Sequence, residues 1–163
     1  MDNQTAVYWI QHLKLEPHPE GGYYKETFCS DIEVSTSSSA KIKHACTSIY
    51  YLLEGTDYSG FHRLRSDEIW YFHKGLALLI HVIGEDGIYK VHELSEEPDG
   101  SLSIVIKAGL WFAAELKAKT DFVLVSCAVA PGFDFAEFEM AEAEKMISAY
   151  PQHTALFNKL CRK

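Results

Sequence analysis

The sequence predicts an all-β barrel or sandwich with short helices added at both ends. Three observations carry this expectation. Short runs of apolar, β-branched and aromatic residues recur from Tyr23 to Ala130, with turn residues between them. Helical periodicity is confined to the two ends. A chain of 163 residues, 47% hydrophobic and 13% aromatic, is long and apolar enough to bury a core as one domain. The expected division is an N-terminal helix over residues 1–16, a β-barrel over 17–139 and a helical segment over 140–163.

In chain order, Ala6, Val7, Ile10 and Leu13 follow the spacing of one helix face, and Asp2, Asn3 and Thr5 are candidate N-caps. Pro17 and Pro19 end that helix. Gly21 and Gly22 turn the chain into a strand from Tyr23 to Phe28. Residues 35–41 are serine-rich and read as an exposed loop. Strands follow over Ala45–Leu53, Tyr58–Leu64, Glu68–His73, Leu76–Ile83, Ile88–Leu94, Leu102–Ile106 and Phe122–Ala130. The turn Gly84-Glu85-Asp86-Gly87 separates two of them. Glu139–Ala149 favours helix, and Pro151 suits the first position of a last helix reaching Leu160. Ser48–Leu53 and Val123–Val129 are apolar on both alternating faces, so something covers their outer side. A second subunit, making a homodimer, would do so; the terminal helices would produce the same pattern.

The net charge of -8 argues against general nucleic-acid binding, which needs a basic surface. No apolar run approaches the roughly 20 residues that span a bilayer. The N-terminus is not a basic region followed by an apolar one, so no secretory signal is expected. Cys29, Cys46, Cys127 and Cys161 lack paired spacing and read as free thiols in a reducing compartment. A cytoplasmic protein is the expectation, with no nucleic acid and no membrane as partner.

The stretch from Tyr58 to Gly75 places His62, Glu68 and Gly75 at spacings that resemble the first signature of the cupin superfamily. Pro17-His18-Pro19-Glu20-Gly21-Gly22-Tyr23-Tyr24, Thr47–Leu53, His62–Trp70, Ala108-Gly109-Leu110-Trp111 and Val129–Phe135 together narrow the resemblance. They resemble the domain of unknown function 985, also called cupin type 5. That resemblance implies a double-stranded β-helix, a jelly-roll-like barrel that binds a ligand inside and commonly pairs into dimers. It implies no settled activity.

Metal-binding cupins take two His and a Glu from the first signature and a His from the second. In this chain Leu64 stands at the second His, and Phe112 at the last. His62 and Glu68 alone make a poor cage, because catalytic iron or zinc sites generally have three protein ligands. The expectation is therefore no metal and no cofactor. A metal-dependent cupin enzyme is the less favoured alternative, with His73 or His81 as substitutes.

A metal-free pocket suits the residues better. Strand alternation turns Glu68, Trp70 and Phe72 to one side, which the signature makes the barrel interior. His62 with a neighbouring carboxylate is the basic equipment for proton transfer near neutral pH. His62 and Glu68 are the candidate catalytic residues, Glu68 as orienting carboxylate or partner acid. Trp70, Trp111 and Tyr50 are candidates for stacking on a sugar or base. Arg63 and Arg65 are candidates for pairing with a phosphate or carboxylate. For His18, Glu20 and Glu26 a pocket role and a turn-stabilising role both stand, with Glu26 preferred because strand residues flank it. Metal-free cupins that epimerise nucleotide-linked sugars use a comparable mixture, so the resemblance points to isomerisation or epimerisation of a sugar- or nucleotide-like small molecule. The alternative is a cupin that binds a small ligand without transforming it. Arg63 and Arg65 beside Asp67 also fit an ordinary surface charge cluster.

Overall fold

A computed structural model describes residues 4–36 and 39–163. In chain order it contains α1 (Ala6–Leu13), β1 (Glu16–Pro17), β2 (Tyr23–Cys29), β3 (Glu33–Thr36), β4 (Ser39–His44), β5 (Thr47–Glu54), β6 (Tyr58–Arg63), β7 (Asp67–Gly75) and β8 (Leu78–Ile83). These are followed by β9 (Tyr89–Leu94), β10 (Ser103–Ile106), β11 (Trp111–Leu116), β12 (Phe122–Ala130), β13 (Glu139–Met140), α2 (Ala143–Ala149) and α3 (Thr154–Leu160). The fold is mostly β with short terminal helices, as the sequence predicts.

Two antiparallel sheets enclose the core. One has the order β1-β2-β5-β12-β7-β10 and the other β13-β6-β11-β8-β9, with β3-β4 as a separate hairpin. On β7, Trp70 lies opposite Cys127 and Glu68 opposite Val129 of β12. Across β12, Cys127 faces Ile49 and Val125 faces Tyr51 of β5. Period-two alternation turns this set inward together. Tyr51, Trp70, Phe112 and Val125 are each at most 1% exposed and lock the barrel interior.

Both apolar outer faces are covered within the chain. Ala6, Trp9, Ile10 and Leu13 of α1 pack on Leu52, Phe122 and Leu124. Thr5 caps that helix, its side chain accepting the Tyr8 N–H at 3.3 Å. On the other sheet Phe61, Ile83 and Ala113 meet Met146, Phe157 and Leu160 from α2 and α3. The two-faced apolar pattern therefore needs no second subunit.

Several stretches differ from expectation. Glu139 and Met140, expected in a helix, pair with Arg63 and His62 as β13, because the edge of β6 offers them a ladder, and the helix begins only at Ala143. β11, Trp-Phe-Ala-Ala-Glu-Leu, contains good helix formers and shows no strand signal of its own. It is nevertheless the middle strand between β6 and β8, because the ladders on both sides override its local preference. The serine-rich stretch is not simply a loop. Glu33 pairs with His44 and Ser35 with Ile42 in a hairpin, while Ser37 and Ser38 lie outside the described residues.

Phe157 is fully buried, edge-on to Phe61 at 5.3 Å between ring centroids. Phe157→Ala is expected to lower the unfolding free energy by about 3–5 kcal/mol, read from urea denaturation, because it empties the seam between α3 and the sheet.

Candidate functional site

A cavity of about 300 Å³ opens at one end of the barrel. Its polar wall is built from His18, Glu20, His62 and Glu68, and its apolar roof from Phe133, Phe135 and Phe138. Three local features of the backbone bring the polar groups together.

The first is the turn from His18 to Gly22. The Gly21 N–H donates to the His18 carbonyl at 3.0 Å, and the His18 N–H to the Gly22 carbonyl at 2.9 Å. Gly21 and Gly22 have φ of 114° and 69°, a region that strains other residues. A Cβ on Gly21 would stand 2.1 Å from the Tyr58 carbonyl oxygen, and one on Gly22 2.5 Å from that of Leu52. Only glycine lets the turn sink so far into the barrel mouth. Once there it is held by the Gly60 N–H donating to the Glu20 carbonyl at 2.8 Å and by Tyr51 Oη donating to the Gly21 carbonyl at 2.6 Å. Arg162 Nε donates to the same Glu20 carbonyl at 3.0 Å.

The second is an irregularity in β6. His62 lies opposite Phe112, but Ser59 lies opposite Ala114, so β6 gains a residue on β11. Such a bulge re-aims side chains. Ser59 and His62, which regular alternation would send to opposite faces, both reach Glu20. Ser59 Oγ donates to Glu20 Oε1 at 2.9 Å, and His62 Nε2 lies 3.2 Å from Glu20 Oε2. The third is regular alternation on β7, which puts Glu68 inside.

His62 is held at both nitrogens. Nδ1 is 2.7 Å from the Gly60 carbonyl oxygen, which can only accept, so Nδ1 carries a proton. A proton taken up by the pair would therefore be shared between Nε2 and Glu20 Oε2. The ring is fixed against Phe112, with centroids 4.1 Å apart. In His18, Nδ1 accepts the Glu20 N–H at 3.2 Å, which leaves its proton on Nε2 in the neutral ring. Burial lowers the pKa of His18 and favours that neutral form; the Glu20 carboxylate opposes the shift and His62 adds to it.

Glu68 has a different character. It is 7% exposed, and its Oε2 has no hydrogen-bond partner in the protein. Burial, reinforced by the Glu20 charge, pushes its pKa up to about 8. The Trp70 indole and the Cys127 thiol pull weakly the other way, but Trp70 Nε1 also ends without a partner. At neutral pH the cavity thus contains a carboxylic acid.

His62, Glu68 and Glu26 line the cavity. The other candidates lie elsewhere. Trp70 faces inward as alternation requires but is buried beneath the cavity, edge-on to Tyr51 and Phe112. Tyr50 has the opposite parity to Tyr51 and packs outside, with the α1 cluster and His73. Trp111 faces out because its neighbour Phe112 faces in, and Arg63 lies over it at 4.4 Å. Arg63 is also paired with Glu139 at 2.7 Å. Arg65 is exposed and lines no part of the cavity. His62 has Glu20 as its carboxylate partner, in place of Glu68. Glu20 and His18 are the residues that sequence reasoning ranked too low. Their signal was the Gly-Gly pair directly after Glu20, a mark of close backbone approach.

The residues do not form the metal cage of a typical cupin. Leu64 lines the cavity, Phe112 packs at a tilt against His62, and His62 Nε2 is taken up by Glu20. Among the described residues no group of three or more His, Cys, Asp or Glu is placed to hold a metal ion.

The raised pKa of Glu68 has a sign that can be checked. The folded state retains the Glu68 proton to about pH 8 while the unfolded chain releases it near pH 4.5, so this residue's contribution to stability falls as pH rises between those values and levels off above. The wild type is expected to lose Tm from pH 5 to 9 and Glu68→Gln to flatten that loss, and an unchanged pH profile would contradict the buried acid.

Comparison with known proteins agrees with this architecture. The model of the family described as Cupin superfamily (DUF985) matches residues 7–141. A hypothetical protein from Leishmania major has a similar structure, with a TM-score of 0.91 and 33% identity over 98% of this chain and 99% of that one. Protein SO0799 from Shewanella oneidensis gives a TM-score of 0.89 and 35% identity over 98% of both chains. Oxalate decarboxylase from Bacillus subtilis is similar in fold alone, with a TM-score of 0.55 and 13% identity over 88% of this chain and 36% of that one. No curated protein matches the chain. With a barrel of this topology and a family match over most of its length, the chain belongs to the DUF985 family of the cupin superfamily.

Proposed function

We propose that this protein is a small-molecule enzyme that moves protons inside the barrel without a metal, isomerising or epimerising a polar, sugar-like ligand. The observation that carries the reading is one cavity holding two differently poised acid–base groups: Glu68, a buried carboxylic acid with an unpartnered oxygen, and the Glu20–His62 couple. Such chemistry needs one group to give a proton and another to take one. Glu68 is the donor. The couple is the acceptor, with Nδ1 pinned to Gly60 so that only Nε2 and the Glu20 carboxylate exchange the proton. The nucleotide-like version of the ligand loses support, since neither Arg63 nor Arg65 lines the cavity.

No described helix is long and apolar enough to cross a membrane. We place the protein in the cytoplasm, a reading supported by four cysteines that all stay free. A homodimer remains a proposal, supported by the exposed Phe28, Ile32 and Ile42. Sedimentation as a single 18.4 kDa species would remove it.

The test of the chemistry is proton exchange. A panel of monosaccharides is incubated with the protein in deuterated water, and loss of carbon-bound proton signals is followed by NMR. At least one sugar is expected to exchange, about 10²–10⁴-fold more slowly with His62→Gln or Glu68→Gln. The rate is expected to fall as pH rises through about 8, where Glu68 loses its proton. Variants that exchange at the wild-type rate would remove the assignment. Saturable binding without exchange would favour a protein that holds its ligand unchanged.

A further inference from the structure

The charge of the cavity narrows its ligand beyond a sugar-like shape. Glu20, Glu26 and Glu68 line it, and no lysine or arginine does. The cations nearby are committed elsewhere. Lys43 is 8% exposed and donates to Glu137 at 2.7 Å and Ser66 at 2.9 Å. Arg63 is paired with Glu139, and Arg162 bonds to Asp57 and to the carbonyl oxygens of Glu20 and Tyr58.

The approach to the cavity carries the same sign. A depression beside the mouth shares Glu26, Phe133 and Phe135 with the cavity and adds Glu33 and Asp134. Lys43 and His44 also line it, but Lys43 is held by its ion pair, and His44 Nδ1 lies 2.7 Å from the Ser30 carbonyl oxygen. Glu26 and Glu33 make no side-chain hydrogen bond or ion pair among the described residues. A ligand therefore passes unpaired carboxylates and aromatic rings before it reaches the buried, unpartnered Oε2 of Glu68. A phosphate or carboxylate meets like charge along this path and finds no guanidinium or ammonium at its end. A protonated amine meets carboxylates and ring faces, both of which attract cations.

We propose that the cavity takes an amine-bearing ligand, with its ammonium group at Glu26 against Phe133 and Phe135 and its uncharged polar end at Glu68. Built on the sugar-like reading above, this makes the ligand an amino sugar or a ring amine of similar size, and excludes sugar phosphates.

Thermal shift and isothermal titration on the full chain at mildly acidic pH test this. The probes are glucose, glucosamine and glucose 6-phosphate, with cyclohexylamine and piperidine as ring amines that lack hydroxyl groups. Amine-bearing probes are expected to raise Tm and to bind about fivefold tighter than their neutral counterpart, with the phosphate weakest. In Glu26→Gln the ratio of amine to neutral affinity is expected to fall to near one. A neutral sugar or sugar phosphate that binds as tightly as the amine overturns the inference. So does a ratio that survives Glu26→Gln, or binding of none of the probes. Glucose that exchanges protons with no advantage for the amine sinks this inference alone and leaves the proton-transfer reading standing. Ring amines that bind where no sugar does leave this inference standing and sink the sugar-like reading.

Discussion

The site depends on keeping the Glu20 carboxylate inside a barrel mouth at 6% exposure. Burying a charge this deeply costs several kcal/mol unless it is paired and hydrogen-bonded. Ser59 and His62 supply those partners. They can do so only because β6 carries an extra residue and because two glycines let the turn approach the strand backbone. The constraint runs outward from there. Arg162, at the far end of the chain, ties the turn to Asp57 and lies over Tyr58 at 4.1 Å, so the C-terminal segment helps hold the site in shape. The Glu20 charge in turn helps keep the proton on Glu68.

The frame of the metal signature persists in His62 and Glu68, but Leu64 and Phe112 fill the remaining ligand positions with hydrocarbon. Hydrocarbon beside Glu68 removes water that would stabilise its ionised form. The apolar substitutions therefore do more than delete donors. Leu64 shares the cavity wall with Glu68, and Phe112 packs against the His62 ring. A second cluster, the buried His81 and Glu115 with the half-buried Tyr89 and the exposed Lys159, has comparable groups. It lines none of the described cavities, and its ion pairs tie α3 to β11 instead.

Much of the fold was legible locally. Alternation on β7, the continuous apolar run of β12, the turn residues, the helix face of α1 and the proline that starts the last helical segment all announce themselves in short windows. Parity put Glu68 on the same side as Trp70, and the resemblance to the cupin signature made that side the interior. Parity also exposes where the reading of aromatic residues failed. Tyr50 and Trp111 were chosen for chemical type, yet each neighbours a residue, Tyr51 or Phe112, that occupies the inward position. Arg63 and Arg65 were chosen the same way, and no local pattern says which side of a barrel rim a long side chain takes.

By itself the sequence determined the β-rich class, the terminal helices, and the presence of His62 and Glu68 on consecutive strands, because these follow from period and spacing along one chain. Tertiary structure decided which carboxylate touches His62, since Glu20 arrives from a separate turn and meets it through a bulge that has no sequence period. It also decided the role of β11, whose helix-favouring residues yield to hydrogen bonding from both sides. The charge of the cavity was settled in the same way. Whether an arginine or a glutamate faces the cavity depends on pairings such as Arg63 with Glu139, which lie 76 residues apart and become neighbours only when the barrel closes.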